Sequence, residues 1–307
     1  MNKINVNKRI YAQKVELLLR LVPLIMDEVV FAIHGGTAIN LFLKDLPRYS
    51  VDIDLTYIPL ADRTTSIGDI NLHLKSICDK AKRSFKDDIL IETNFNTSKL
   101  LCKYHGQQVK IEVNQTKRGI VGGEPLTLPL SEKAQDEFSL YCEAKIVPLT
   151  FLYGGKIAAA LSRQHPRDLF DVKYMDMPLS DCREGLIFCL LGSDRPIHES
   201  FASSFIDQRD AMANQFDGMT DIPFTYDEFE ATRSKLVDDV KALMTEADRK
   251  FLVSFETGQP EWEGYEFEYF KNYPSVQWKL LNLQKLAKQN PQKLKEETDK
   301  LRLIWKQ

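Results

Sequence analysis

The chain lacks the features that mark membrane-spanning, secreted and zinc-binding proteins. Its 307 residues contain no apolar run long enough to cross a bilayer, and the N-terminal segment is polar. The five cysteines form no Cys-x-x-Cys and have no histidine pair beside them. Scattered cysteines of odd number argue against a disulfide framework or a zinc site. We therefore expect a cytoplasmic protein with no membrane partner.

The chain also lacks a strong excess of charge of either sign. Its formal net charge is −3 and its pI is near 6.0, which excludes a general nucleic-acid coat but not a local basic surface. The length predicts two domains. Strand-like alternation fades near residue 180, so we expect boundaries at 1–180 and 181–307. The last stretch, 279–307, is basic, and its charges with Trp278 and Trp305 suit either a solvated helix face or an RNA contact.

One stretch near the N-terminus carries chemistry. A Gly35-Gly36 turn precedes an apolar strand that contains Asp52 and Asp54. Side chains two apart on a strand share a face, and two carboxylates on one face repel unless a cation lies between them. Mg²⁺ takes oxygen ligands and is shared with substrate phosphates, which the glycines let the backbone approach. The pattern favours metal-assisted nucleotidyl transfer, whereas a lone Asp-x-Asp is more often a surface pair.

The segments that follow predict a helix over 69–85 after a polar loop over 62–68, and then strands over 89–94, 99–104 and 108–114. His105-Gly106 favours a hairpin turn between the last two strands. In the last strand Glu112 lies on the face opposite Val109 and Val113. It either joins Asp52 and Asp54 as a third carboxylate or faces solvent, and spacing alone favours solvent. Residues 119–129 have the composition of a loop.

A second informative stretch covers 147–172. Thr150 is a fair N-cap for a helix that carries Lys156 and Arg163 on one side. Pro166 suits the first turn of the next helix, on which Asp168 and Asp171 face one way. The two acids could serve a site or be ordinary helix-dipole partners, and Lys156 could extend from a helix face to solvent.

At these two stretches the sequence resembles the AbiEii-type toxin family, a nucleotidyltransferase group of bacterial type IV toxin–antitoxin systems. The resemblance covers roughly residues 25–175. It is carried by Gly35-Gly36-Thr37-Ala38 with 50–55, by Lys156-Ile157-Ala158-Ala159 with Arg163, and by 167–171. It implies an α+β fold: a polymerase-β-like nucleotidyltransferase domain with a mixed sheet flanked by helices, plus a mainly helical C-terminal domain.

The resemblance also implies an activity. Members transfer a nucleoside monophosphate from an NTP, and some modify the 3′ end of tRNA and so block translation, so we expect an RNA acceptor with tRNA favoured. A separately encoded antitoxin is the expected partner. Two alternatives stay open: a small-molecule nucleotidyltransferase of the aminoglycoside type, and a non-catalytic nucleotide-binding module.

Site residues follow from the same resemblance. Mg²⁺, or Mn²⁺ in its place, is expected on Asp52 and Asp54, and Lys156 is expected to contact phosphates. The superfamily's usual third carboxylate is an aspartate, for which Glu112 is the best match here and is one methylene longer. The resemblance implies that the catalytic residues are Asp52, Asp54, Lys156, Asp168 and Glu112. It implies that the nucleotide-binding residues are Gly35, Gly36, Ser50, Lys156 and Asp171.

Overall fold

A computed structural model describes residues 3–201 and 205–305 of the protein. The chain forms two compact units. We call the first the sheet unit; it comprises the described residues up to Pro148 together with Ala211–Pro223. We call the second the helical unit; it comprises the described residues of Leu149–Asp210 and those from Phe224 onward. The division at Pro148 differs from the boundary expected near residue 180.

The sheet unit contains every strand of the described chain. The strands are β1 (Phe31–His34), β2 (Asp52–Tyr57), β3 (Leu90–Asn94), β4 (Lys99–Tyr104), β5 (Gln107–Val113), β6 (Leu126–Pro129) and β7 (Glu143–Ile146). The helices along the chain are α1 (Lys3–Met26), α2 (Gly35–Thr37), α3 (Arg63–Ser84), α4 (Glu132–Phe138), α5 (Leu149–Arg163), α6 (Pro166–Lys173), α7 (Arg183–Leu191), α8 (Arg209–Ala211), α9 (Tyr226–Leu243), α10 (Glu246–Glu256), α11 (Pro274–Gln289) and α12 (Pro291–Trp305). No helix in the described ranges is both long and apolar enough to span a bilayer.

The seven strands form one mixed sheet in the order β3-β4-β5-β2-β1-β7-β6. Strand β2 pairs in parallel with β5 and antiparallel with β1. This central position puts Asp52 and Asp54 between two paired neighbours. The α+β fold with a mixed sheet and flanking helices, expected from the sequence, is confirmed.

Strand β2 has one apolar and one charged face in its first half. Ile53 and Leu55 are buried, whereas Asp52 is half-buried and Asp54 is exposed. On the apolar side α1 packs on β5 and α3 packs on β4. The hydrophobic effect therefore fixes the register, because a slip of one residue would bury both carboxylates and expose the apolar residues.

Several local predictions were wrong, each because a cap or a distant partner overrode local sequence. Helix α3 begins at Arg63 rather than at 69, since the Asp62 side chain caps it by accepting from the Thr65 N–H. Part of the expected loop over 119–129 is strand β6, which pairs with β7. Thr150 lies inside α5 instead of capping it, and its hydroxyl accepts a hydrogen bond from the Gly185 N–H.

Helices α5 and α7 explain why the helical unit begins at Leu149. They approach so closely that a Cβ on Gly154 would lie 2.3 Å from the Gly185 carbonyl carbon. A Cβ on Gly185 would lie 2.1 Å from the Thr150 carbonyl oxygen. Only glycine permits this approach, so α5 packs with the helices that follow it. From residue 149 onward the described residues contain helices and no strand.

Candidate active site

The Gly-Gly turn directly follows β1, and Gly35 and Gly36 are the first two residues of the short helix α2. Gly35 has φ +71°, a left-handed conformation that side chains other than glycine rarely adopt. The Asn40 side-chain amide donates to the Gly36 carbonyl at 2.9 Å and holds the turn. A Cβ on Gly36 would lie 2.8 Å from Arg48 Nη2 and 2.9 Å from Ser50 Oγ. The turn thus keeps bare backbone beside a guanidinium and a hydroxyl group.

Thr37 connects this turn to the acidic strand. Its hydroxyl donates to the Asp52 carbonyl at 2.6 Å and lies 3.1 Å from the Ser50 hydroxyl. Thr37 and Ser50 are buried, so the contact is shielded from competing water. The expected nucleotide-binding residues Gly35, Gly36 and Ser50 are therefore adjacent, and they are fixed against the start of β2.

The acidic pair lies on the same side of β2, as the alternation predicts. A Cβ on Gly35 would lie 2.9 Å from Asp54 Oδ2, so the absence of a side chain there lets this carboxylate lie close against the backbone of the turn. Hard oxygen donors beside bare backbone fit a divalent cation shared with phosphates. Within residues 3–201 and 205–305, no group of three or more His, Cys, Asp or Glu side chains is arranged to hold a metal. Metal binding by Asp52 and Asp54 therefore stays a prediction.

Glu112 occupies the position directly beside Asp54 on the parallel neighbour β5. Its two carboxylate oxygens are each engaged: Oε1 lies 2.9 Å from Lys99 Nζ, and Oε2 accepts from Lys110 Nζ at 2.9 Å. Partial burial raises the pKa of the Glu112 carboxyl, but Lys110 and Lys99 outweigh it and hold the pKa below its ordinary value. A carboxylate with a lowered pKa is a weaker general base. Its role as third acid stays a prediction.

The helical unit holds the second set of predicted residues, and it brings four of them together. Lys156 Nζ on α5 lies 3.0 Å from Asp168 Oδ1 and 2.9 Å from Asp171 Oδ2, both on α6. Arg163 Nη2 lies 2.8 Å from the other oxygen of Asp168. Spacing along α5 and α6 predicted that these side chains would share faces. The structure adds that the two faces meet.

This charge cluster is almost completely buried. The side chains of Lys156, Asp168 and Asp171 are 6%, 4% and 0% exposed, whereas Arg163 is 61% exposed. Burial raises the pKa of the Asp168 carboxyl, but Lys156 and Arg163 overcome this and lower it. The Asp168 carboxyl is therefore held in its ionised form beside Lys156 and Arg163. A phosphate contact by Lys156 stays a prediction, because two carboxylates already surround its ammonium.

Helix α6 is positioned by its own first turn. Pro166 occupies the start of the helix, and the His165 ring nitrogen Nδ1 accepts from the Arg167 N–H at 3.1 Å. His165 is thus the N-cap of α6.

Of the two tryptophans near the basic end, Trp305 is buried and packs edge-on against Phe201, and Trp278 is exposed. Residues 306–307 of that basic stretch lie outside the described residues.

Three basic residues at the acidic strand were missed by sequence reasoning. Arg48 is buried, donates to the Tyr49 carbonyl at 2.8 Å, and lies beside Gly36; nothing in the sequence pattern distinguishes it. Lys99 and Lys110 had a signal, since both lie on predicted strands and Lys110 alternates with apolar residues on β5 as Glu112 does. Their proximity to Glu112 depends on strand pairing.

Comparisons with known proteins concern the chain as a whole. Residues 16–282 match the family model described as the nucleotidyl transferase AbiEii toxin of a type IV toxin–antitoxin system. No curated protein sequence matches the chain. Among solved structures, MenT4, a nucleotidyltransferase toxin from Mycobacterium tuberculosis H37Rv, is similar with a TM-score of 0.58 at 13% identity. That match covers 92% of this chain and 95% of the other, and at this identity it shows a shared fold.

Proposed function

Because this chain belongs to the AbiEii family of type IV toxin–antitoxin nucleotidyltransferases, we propose that it transfers a nucleoside monophosphate from an NTP to an RNA acceptor. The favoured acceptor is the 3′ end of tRNA, whose modification would block translation. A separately encoded antitoxin is the proposed partner, and the cytoplasm is the proposed compartment. The family supplies the reaction type. The acceptor, the metal and the compartment are our inferences.

One observation carries the proposal. The exposed carboxylate of Asp54 and the half-buried carboxylate of Asp52 share one side of a central strand, directly beside the bare backbone of Gly35. This combination suits nucleotidyl transfer. The triphosphate is a polyanion, and a cation held by the two acids would offset its charge at the catalytic centre. Glycine backbone admits the phosphates, and the acids hold the neutralising cation.

The chain's own residues then have separable tasks. Asp52 and Asp54 would hold Mg²⁺, which when bound neutralises developing charge on the phosphate oxygens. Backbone at Gly35 and Gly36, with Ser50, would orient the triphosphate. The oxygen of the acceptor's 3′ hydroxyl forms a new bond to the α-phosphorus and gives up its proton to water or to a carboxylate, while the bond from that phosphorus to the bridging oxygen breaks and pyrophosphate leaves. No covalent intermediate on the protein is needed, because the reaction is one in-line displacement.

The direct test is transfer of label. Purified protein is incubated with Mg²⁺, total tRNA and each of the four α-³²P-labelled NTPs in turn, and RNA 3′ ends are then sequenced. We expect label on RNA from wild type and none from Asp52→Asn. Equal labelling by both proteins would contradict the proposed site.

The alternatives predict different products in the same assay. A small-molecule transferase would label an added aminoglycoside and leave every RNA unlabelled. A non-catalytic module would bind NTP in a filter assay without releasing pyrophosphate. A labelled aminoglycoside would replace the RNA acceptor in our proposal, and NTP binding without pyrophosphate release would exclude the transfer reaction.

A further inference from the structure

The geometry points to a phosphate-binding subsite formed by Lys99 and Lys110 on the charged face of the sheet, with Glu112 as the residue that positions both lysines. We call these three residues the lysine subsite. The inference rests on the proposed function, because it assigns the subsite to a phosphate group of one of the two substrates. It also gives Glu112 a role other than that of third acid.

Strand pairing places the lysine subsite beside the acidic pair. Lys110 is the register partner of Asp52, and Glu112 is the register partner of Asp54. Lys99 on β4 is in turn the register partner of Glu112. Register partners project to the same side of a sheet, so the five side chains share one face.

Glu112 is suited to hold the lysines rather than to react. Each of its oxygens lies 2.9 Å from one ammonium nitrogen, so both lysines compete with a metal ion or a hydroxyl proton for this carboxylate. An ammonium has three N–H donors, and Glu112 takes one from each lysine. The remaining donors can serve a ligand. The lysine side chains are 40% and 39% exposed, which leaves their ends accessible to a large substrate.

The charge balance of the face favours a phosphate ligand. Three carboxylates alone would repel a triphosphate or an RNA backbone. Two ammonium groups among them leave a net charge of −1 before any cation binds. Lysine is a compact point charge that suits phosphate oxygens. The phosphate can come from the β- and γ-phosphates of the NTP or from the acceptor's backbone, and the chemistry of the two is the same.

The test measures binding without turnover. Dissociation constants are determined for Mg²⁺ with each α,β-methylene NTP, and separately for 5′-fluorescein-labelled tRNA without nucleotide. The variants are Lys99→Met and Lys110→Met, with Lys110→Arg as the charge-preserving partner. The matched control is Lys103→Met, because Lys103 lies on the same face of β4, is 37% exposed and is also ion-paired, to Glu92. Circular dichroism melting verifies that each variant is folded.

We expect Lys99→Met and Lys110→Met each to raise the dissociation constant of one of the two ligands about tenfold. Lys103→Met should keep both dissociation constants within twofold of wild type. Weakened nucleotide binding assigns the subsite to the NTP, and weakened tRNA binding assigns it to the acceptor. The dissociation constants of Lys110→Arg should stay within threefold of those of wild type. If both methionine variants bind both ligands like the control, the inference is wrong. If wild type itself binds neither ligand, the proposed function fails first.

Glu112→Gln separates positioning from acid–base chemistry. A positioning role predicts that Glu112→Gln raises the Kd or KM several-fold for the ligand that the lysine variants bind less tightly. The kcat at saturation should then stay within about threefold of wild type. A general-base role predicts the reverse, a large loss of kcat at unchanged Kd. Unchanged binding by Glu112→Gln would remove Glu112 from the subsite.

Discussion

Replacing Lys156 by methionine should strongly destabilise the helical unit. The ammonium lies within 3.0 Å of both Asp168 and Asp171, whose side chains are 4% and 0% exposed. Methionine preserves most of the stem but leaves two buried carboxylates facing each other. Asp168 keeps Arg163 at 2.8 Å, and Asp171 loses the ammonium at 2.9 Å. Removing one partner of a buried pair costs about 3–5 kcal/mol, a large share of a typical domain's stability.

Urea unfolding followed by far-UV circular dichroism measures this loss, with each transition fitted separately if the two units unfold apart. The control is Lys235→Met on α9, whose side chain is 74% exposed and ion-paired to Asp239; we expect a change within about 0.5 kcal/mol. The double variant Lys156→Met with Asp171→Asn should recover at least about half of the loss, because the amide removes one of the two buried negative charges. A loss below about 1 kcal/mol in the single variant would refute the reasoning.

This stability effect decides how activity data at Lys156 should be interpreted. An inactive Lys156→Met protein would be expected both from a lost phosphate contact and from a disordered α5–α6 pair. The double variant with Asp171→Asn separates these explanations if it is stable. Inactivity in that stable background would support a direct phosphate contact, whereas restored activity would assign Lys156 to the positioning of α6.

Three further predictions concern the sheet unit. Asp52→Asn and Asp54→Asn should each lower kcat at least about a hundredfold with little change in melting temperature, measured by pyrophosphate release and calorimetry. Gly36→Ala should destabilise the protein by about 1–3 kcal/mol in urea unfolding, because its Cβ would lie within 2.9 Å of two side chains. The control Gly68→Ala should stabilise it by about 0.5–1 kcal/mol, because Gly68 is exposed in α3 and its Cβ would meet nothing within 4 Å. Burial raises the pKa of Glu28, but hydrogen bonds from Lys80, Ser76 and His73 outweigh it and lower the pKa from 4.5 to about 2. Glu28 therefore contributes about 3 kcal/mol to the free energy of unfolding, which is present above pH 4.5 and lost as the pH falls toward 2. Glu28→Gln should flatten this acid limb of the plot of unfolding free energy against pH, and an unchanged limb would exclude Glu28 as its source.

Features that depend on near neighbours in the chain were predictable. The alternation of β2 predicted that Asp52 and Asp54 share a side, and they do. The hairpin turn at His105-Gly106 is present, with φ values of +45° and +77°. The early start of α3 was missed, because the cap formed by the Asp62 side chain depends on a hydrogen bond that a polar composition conceals.

Features that depend on pairing between distant segments were not predictable. Nothing in the sequence states that Lys99 lies beside Glu112, because antiparallel register is set by the apolar face and the turn together. The same holds for Lys156 and Asp171, which spacing placed on separate helix faces. Their contact arises because α5 and α6 pack together around buried charge.

Glu112 joins these two kinds of information. Its spacing correctly placed it on the charged side of β5, and the parallel pairing with β2 places it next to Asp54 as the third-acid hypothesis required. Position alone does not make a carboxylate a base, because reactivity is set by what the oxygens already contact. Both oxygens of Glu112 contact an ammonium, and these contacts favour the ionised form while competing with any proton or metal. The role of this residue therefore depends on whether a substrate displaces the lysines or binds to them, and the kcat and Kd of Glu112→Gln distinguish the two.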